Sequence, residues 1–138
     1  MSKEKLLGAV GMSSLTIRPG DTAVASGISD LPVVASSALI NLAESASTAA
    51  LVEFLEPGET SHTLTSQLHY LSGVSIGSTI RAHATCIEVS GNQLTFNVEI
   101  NHEGRLIASG TILRKVVDRV SYMARTAAEG LLVEKKIT

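Results

Sequence analysis

Three groups of side chains in this sequence have the types and spacing to do chemistry. The first is Ser36 and Glu44, inside VVASSALINLAES at residues 33–45. The stretch reads as the front of a buried helix, apolar or small almost throughout, with a carboxylate in its middle. A carboxylate is costly to bury unless it is paired, hydrogen-bonded or needed. In an apolar site it can activate water as a general base or attack a carbonyl itself. The plain alternative for Glu44 is a helix edge close to Asn41, Thr48 and solvent. Ser36 reads either as the cap of the helix N-terminus or as a catalytic hydroxyl, and the two roles do not exclude each other. On a regular helix the two residues stand about 12 Å apart along the axis. They would flank a substrate, with the free N–H groups of the helix start available to a developing oxyanion.

The second group is His69 and Tyr70, at the end of a strand. Side chains alternate faces along a strand, so one residue decides which of them enters a site. Leu64, Leu68 and Tyr70 share one face; Thr63, Thr65, Gln67 and His69 share the other. The more apolar face belongs inside, which puts Tyr70 in and His69 out, unless a β-bulge near Ser72–Gly73 restores His69. His69 would serve as a general acid or base and Tyr70 as a pocket wall. His62, in PGETSHT, is a further candidate, whereas His83 and His102 read as exposed strand and turn residues. Four scattered histidines lack the spacing of a metal site. The third group is Arg114, Lys115 and Arg119, a basic cluster placed after the last strand. It is either a solvated strand end or a set of phosphate contacts.

Composition narrows what such groups can serve. With 138 residues, 44% hydrophobic and 17% charged, the chain is expected to fold as one globular domain over residues 1–138. Net charge is −2 but unevenly spread: residues 1–104 carry four Lys/Arg against ten Asp/Glu, and residues 105–138 carry seven against three. There is no basic stripe interleaved with aromatics, so nucleic-acid binding is not expected, although a local basic patch can hold an anionic ligand. The lone Cys86 reads as a small buried strand residue. The longest largely apolar stretch, Ala38 to Leu55, is broken by Asn41, Glu44 and Glu53, so no membrane span is expected. The apolar run Leu6 to Met12 is too short for a secretory leader, and a cytoplasmic location follows as the expectation.

The elements that must position these groups follow from periodicity. A strand over about Ser13 to Arg18 is followed by the turn PGD, a short strand over Thr22 to Gly27 and the loop ISDLP. A helix runs from about Ser37 to Leu55, capped by Ser36 or Ser37 and stopped by Pro57 and Gly58. Its stripe is Leu39, Leu42, Ala43, Ala46, Ala50 and Phe54, and its alanines and serines make it slim. The period then changes to two: Thr63 to Leu71, Ser78 to Val89, about 93–100, and Arg105 to Lys115 read as strands, with turns at SGN and NHEG. A helical tail begins near Val117. One helix covers only one face of such a sheet, so the fold class is α+β and a dimer is expected.

This order, with the residues in it, resembles the hotdog fold, and within it the fluoroacetyl-CoA-thioesterase-like family of acyl-CoA thioesterases. The resemblance covers about Leu15 to Asp118. It rests on VVASSALINLAE, on LEPGE after the helix, and on LHYLSGVSIGSTIRAHATCIEV. The family has a hydroxyl residue, usually threonine, eight positions before a glutamate; here these are Ser36 and Glu44. Its catalytic histidine stands seven residues before a glycine; counted from Gly77, that slot holds Tyr70, with His69 beside it, and the turn lacks the family's proline. The resemblance implies a long central helix wrapped by an antiparallel sheet. It implies hydrolysis of a short or compact acyl-CoA by Glu44, Ser36 and His69; Tyr70 is then read as lining the acyl pocket, and Arg114 of the basic group as meeting the phosphates of coenzyme A. Coenzyme A enters as part of the substrate, with no other cofactor and no metal, in a homodimer or a pair of dimers. The competing class is the same dimer holding an acyl or aromatic ligand without turnover. A hydratase is disfavoured because no Asp–His pair sits in a hydratase-like loop.

Overall fold

The computed structural model describes residues 3–137; Met1, Ser2 and Thr138, which the one-domain expectation included, lie outside the described residues. A single turn of helix, α1 (Lys3–Leu6), precedes strand β1 (Val10–Thr16), and a 3-10 turn covers Pro19–Asp21. Helix α2 (Ser36–Leu51) runs into a 3-10 turn at Val52–Phe54. Four strands follow, β2 (Glu59–Tyr70), β3 (Thr79–Ser90), β4 (Gln93–His102) and β5 (Arg105–Asp118), and then helix α3 (Arg119–Ile137). The strands form one antiparallel sheet in the order β1-β3-β4-β5-β2. The sheet curls around α2 as the sequence leads one to expect.

The core lies between α2 and the inner face of the sheet. On β4 the alternating Leu94, Phe96, Val98 and Ile100 are all fully buried, and Ile80, Ala82, Ala84 and Cys86 do the same on β3. From α2 come Leu39, Leu42, Ala43, Ala46, Ala50 and Leu51. Burying each of the larger aliphatic side chains stabilises the fold by about 1.5–3 kcal/mol. The slimness of α2 has a specific cause. A Cβ on Gly11 of β1 would stand 2.2 Å from the Ala46 carbonyl oxygen and 2.2 Å from the Ala50 nitrogen. Strand and helix backbones therefore touch, which only glycine facing alanine permits. The β4–β5 hairpin turns on Glu103 and Gly104, whose φ angles of 49° and 78° are the left-handed pair that a two-residue hairpin loop requires.

Several local expectations need correction. Residues 23–27 form turns rather than a strand, and Thr22 makes only an isolated bridge to Val34. Helix α2 is capped by Ala35 with no side-chain hydrogen bond, so neither Ser36 nor Ser37 is its cap. Strand β2 starts four residues before the expected Thr63 and contains a bulge between Thr63 and Thr65. Strand β5 continues past Lys115 to Asp118, because Val116 still points into the core.

Candidate active site

Helix α2 presents Ser36, Ile40 and Glu44, four residues apart and each half-buried, as a stripe on one side. That stripe lies along β2, one of the two edge strands. At its N-terminal end Ser36 and Tyr70 line a cleft of about 410 Å³ whose other walls include Ile28, Leu31, Val33, Leu39 and Leu71. Further along, Glu44 meets Thr63 of β2. Beyond that, a second cleft of about 490 Å³ is lined by Thr48, Ser61, Arg114 and Arg119. Glu56 and Glu59 also line that second cleft, so Glu44 stands between an apolar recess and one of mixed charge.

The bulge at Leu64 makes this arrangement. Before it, Ser61 and Thr63 pair with Val116 and Arg114; after it, Ser66, Leu68 and Tyr70 pair with Ile112, Gly110 and Ala108. Directly opposed residues share a face, so all five point at α2. A strict alternation through β2 puts Thr63 on the outer face with His69, and the extra residue corrects this. Beyond the bulge the pairing is regular to Tyr70, so no bulge near Ser72–Gly73 turns His69 inward. His69, opposite Ser109, is on the outer face and exposed. His62 is also on the outer face, opposite Lys115. There it packs on Tyr122 of α3, with ring centroids 5.0 Å apart.

Arg114 is not in a solvated group after the last strand. It lies within β5, 7% exposed, with its side chain toward α2. Its Nε donates to Ser61 Oγ at 3.1 Å, Nη1 to Thr63 Oγ1 at 2.9 Å and Nη2 to the Ser61 carbonyl oxygen at 3.3 Å. Thr63 Oγ1 in turn donates to Glu44 Oε1. Burial pulls the Arg114 guanidinium below its ordinary range, and the Glu44 carboxylate partly offsets this. The Glu44 carbonyl oxygen accepts the hydroxyls of Ser47 at 2.6 Å and Thr48 at 3.1 Å. Burial pushes the Tyr70 phenol up, which keeps it a neutral hydrogen-bonding group.

The structure therefore brings Ser36 and Tyr70 to one cleft, and Glu44 and Arg114 to one network through Thr63. It leaves His69 out of both. The roles of Ser61 and Thr63 are not in the sequence reading. The signal was the hydroxyl-rich TSHTLT: a strand whose inward positions carry Ser and Thr, not Val or Ile, faces something polar. Among the described residues no group of His, Cys, Asp and Glu is arranged to hold a metal ion. No helix among them is long and apolar enough to cross a membrane.

A family model described as "Fluoroacetyl-CoA-specific thioesterase" matches residues 17–120. Among solved structures, a threonine-to-serine variant of the fluoroacetyl-CoA thioesterase FlK in complex with acetyl-CoA is similar, with TM-score 0.82 and 24% identity over 89% of this chain and 97% of that one. A hypothetical protein of Thermus thermophilus, described as a thioesterase superfamily member, gives TM-score 0.86 at 21% identity over 94% and 96%. A hot-dog-like protein from Thermanaerovibrio acidaminovorans gives 0.85 at 19% over 94% and 97%. These likenesses establish the hotdog fold. No curated protein matches.

Proposed function

Because the chain belongs to the fluoroacetyl-CoA-specific thioesterase family and is by that membership a thioester hydrolase, we propose that it cleaves a short or otherwise compact acyl-CoA to the free acid and coenzyme A. The observation that carries this is the position of Glu44, a half-buried carboxylate between an apolar cleft and a polar one whose lining includes Arg114 and Arg119 beside Glu56 and Glu59. The acyl group enters the apolar end beside Ser36 and Tyr70. The coenzyme A portion leaves toward Arg114 and Arg119, where the exposed Arg119 offers its charge to a phosphate. Coenzyme A comes as part of the substrate, and the chemistry calls on no further cofactor.

Glu44 is the general base. Its Oε1 is held by Thr63, and among the described residues no side chain hydrogen-bonds Oε2, which is thus available to a water. That water gives its proton to Oε2 while its oxygen bonds to the thioester carbonyl carbon. The carbonyl oxygen takes the negative charge and is met by the N–H groups of Ser36 and Ser37, which have no acceptor inside the helix. Collapse of the adduct breaks the carbon–sulfur bond, and the departing thiolate recovers the proton. The distance is consistent. About 12 Å along the helix is within the combined reach of the glutamate arm, a hydrogen bond to water of about 3 Å, a water-to-carbon approach of about 3 Å, a carbonyl of about 1.2 Å and a hydrogen bond of about 3 Å.

We further propose a homodimer, possible also as a pair of dimers, in the cytoplasm. Strand β2 is a 12-residue edge strand with Leu64 and Tyr70 exposed along it. Long open edges are ordinarily blunted or paired, and a second copy laid along β2 would roof the groove over Glu44. Tyr70 in the family's histidine slot is what favours the competing reading, ligand binding without turnover. Glu44→Gln separates the two. It keeps size and hydrogen bonding but cannot take a proton, so release of free coenzyme A from a panel of acyl-CoAs should fall at least about a hundredfold with the fold intact. Release at the wild-type rate, or no release by the wild type from any compact acyl-CoA, would refute the proposal.

A further inference from the structure

Thr63 reaches α2 only because of the bulge at Leu64, and its hydroxyl has one proton to give. Arg114 can only donate, so the Thr63 oxygen accepts from Arg114 Nη1. The hydroxyl proton is then directed to Glu44 Oε1. Arg114 itself cannot swing, since Ser61 holds its Nε and Nη2. Arginine and carboxylate in direct contact form a two-pronged pair that occupies both carboxylate oxygens. Thr63 stands between them and occupies one.

We propose that Thr63 is a positioning residue for the hydrolysis, a hydroxyl spacer that orients Glu44 and links it to the fixed Arg114 through one carboxylate oxygen only, so that Oε2 remains open to water. The inference rests on Glu44 being the base. It also gives Arg114 a task apart from phosphate binding: it fixes which way the Thr63 proton points. Ser61 supports Arg114 and stands one step further back. The geometry belongs to this chain's own residues, a threonine before a bulge opposite an inward arginine.

The test is steady-state kinetics of three Thr63 variants, alongside Glu44→Gln, on the best acyl-CoA substrate. Thr63→Val keeps the β-branched shape and removes the hydroxyl. It should lower kcat by about 10–100-fold, the size of a misplaced catalytic group, with KM within about twofold because no substrate contact is lost. Thr63→Ser restores the hydroxyl and should return kcat to within a few-fold of wild type; a side chain that merely fills space would show no such rescue. If the valine variant is unstable, Thr63→Ala removes the same hydroxyl without bulk and should show the same split. Hydroxyl-free variants with wild-type kcat, alongside an inactive Glu44→Gln, would overturn the spacer and leave Glu44 as the base. Glu44→Gln at the wild-type rate would overturn both.

Discussion

Replacing Gly11 with alanine tests the contact that sets the whole site, because β1 and α2 meet there backbone to backbone. The added Cβ would lie 2.2 Å from the Ala46 carbonyl oxygen, 2.2 Å from the Ala50 nitrogen and 2.8 Å from the Ala50 Cα. Comfortable contact for such atoms is about 3.5 Å, and neither neighbour is a side chain that can rotate aside. The helix or the strand must therefore withdraw by roughly 1 Å. Overpacking of this kind costs about 1–3 kcal/mol. With a urea slope of about 2 kcal/mol per molar, the midpoint of unfolding should fall by about 1 M at fixed protein concentration. Because α2 carries both Ser36 and Glu44, the same shift should lower turnover, up to about a hundredfold if the full 1 Å reaches the carboxylate. Gly130→Ala is the control: nothing lies within 4 Å of its Cβ, and in the interior of α3 alanine should be neutral or stabilising. An unfolding midpoint within about 0.2 M of wild type for Gly11→Ala, or the same loss in both variants, would refute the close-contact argument.

On β2, His69→Ala should be nearly silent in kcat and KM, since His69 is on the outer face, whereas Tyr70→Phe should cost about 0.5–1.5 kcal/mol in kcat/KM through one lost hydrogen bond; the reverse pattern in steady-state assays would place His69 in the site. Burial raises the Cys86 thiol above its ordinary 9.0. The unfolded chain therefore ionises first, and stability that is full below pH 9 should decline as pH rises through the folded value. Urea midpoints measured across this range should decline less in Cys86→Ala. Sedimentation should give a dimer at micromolar concentration; a stable monomer would remove the second copy from the roof of the groove.

How far the sequence could be read follows from which features are periodic. The inward Leu94, Phe96, Val98 and Ile100 and the stripe on α2 announce themselves because burial repeats every two residues in a strand and every three or four in a helix. A bulge breaks that rule without leaving a signature of its own. Extrapolating through Leu64 puts Thr63 outside, and a second register shift between Cys86 and Glu88 is equally silent. The supposed strand over Thr22 to Gly27 fails for another reason: a strand needs a partner, and only Thr22 finds one. Ser36 loses its capping role because the helix begins one residue earlier, on Ala35. The alternation Ile112, Arg114, Val116 did hold enough information to send Arg114 inward. Reading it as part of a basic cluster with Lys115 and Arg119 concealed that.

The isolated carboxylate in the helix is the feature the sequence marked most clearly, and its neighbours are what it could not supply. Glu44 stands out because the helix around it is apolar, which is a local property. Its partners lie 19 and 70 positions away, on strands whose pairing brings Thr63 opposite Arg114. The cost of placing a charge there is met by a network in which each nitrogen of the Arg114 guanidinium and the Thr63 hydroxyl has an acceptor, and no buried side-chain polar atom among the described residues lacks a partner. Such a network is more exacting than a hydrophobic contact, because removing one member leaves the others unsatisfied. It follows that β2 cannot slip by one residue without losing both the cleft wall at Tyr70 and the hydroxyl on Glu44. The bulge at Leu64 is therefore as much a part of the site as the side chains it aims.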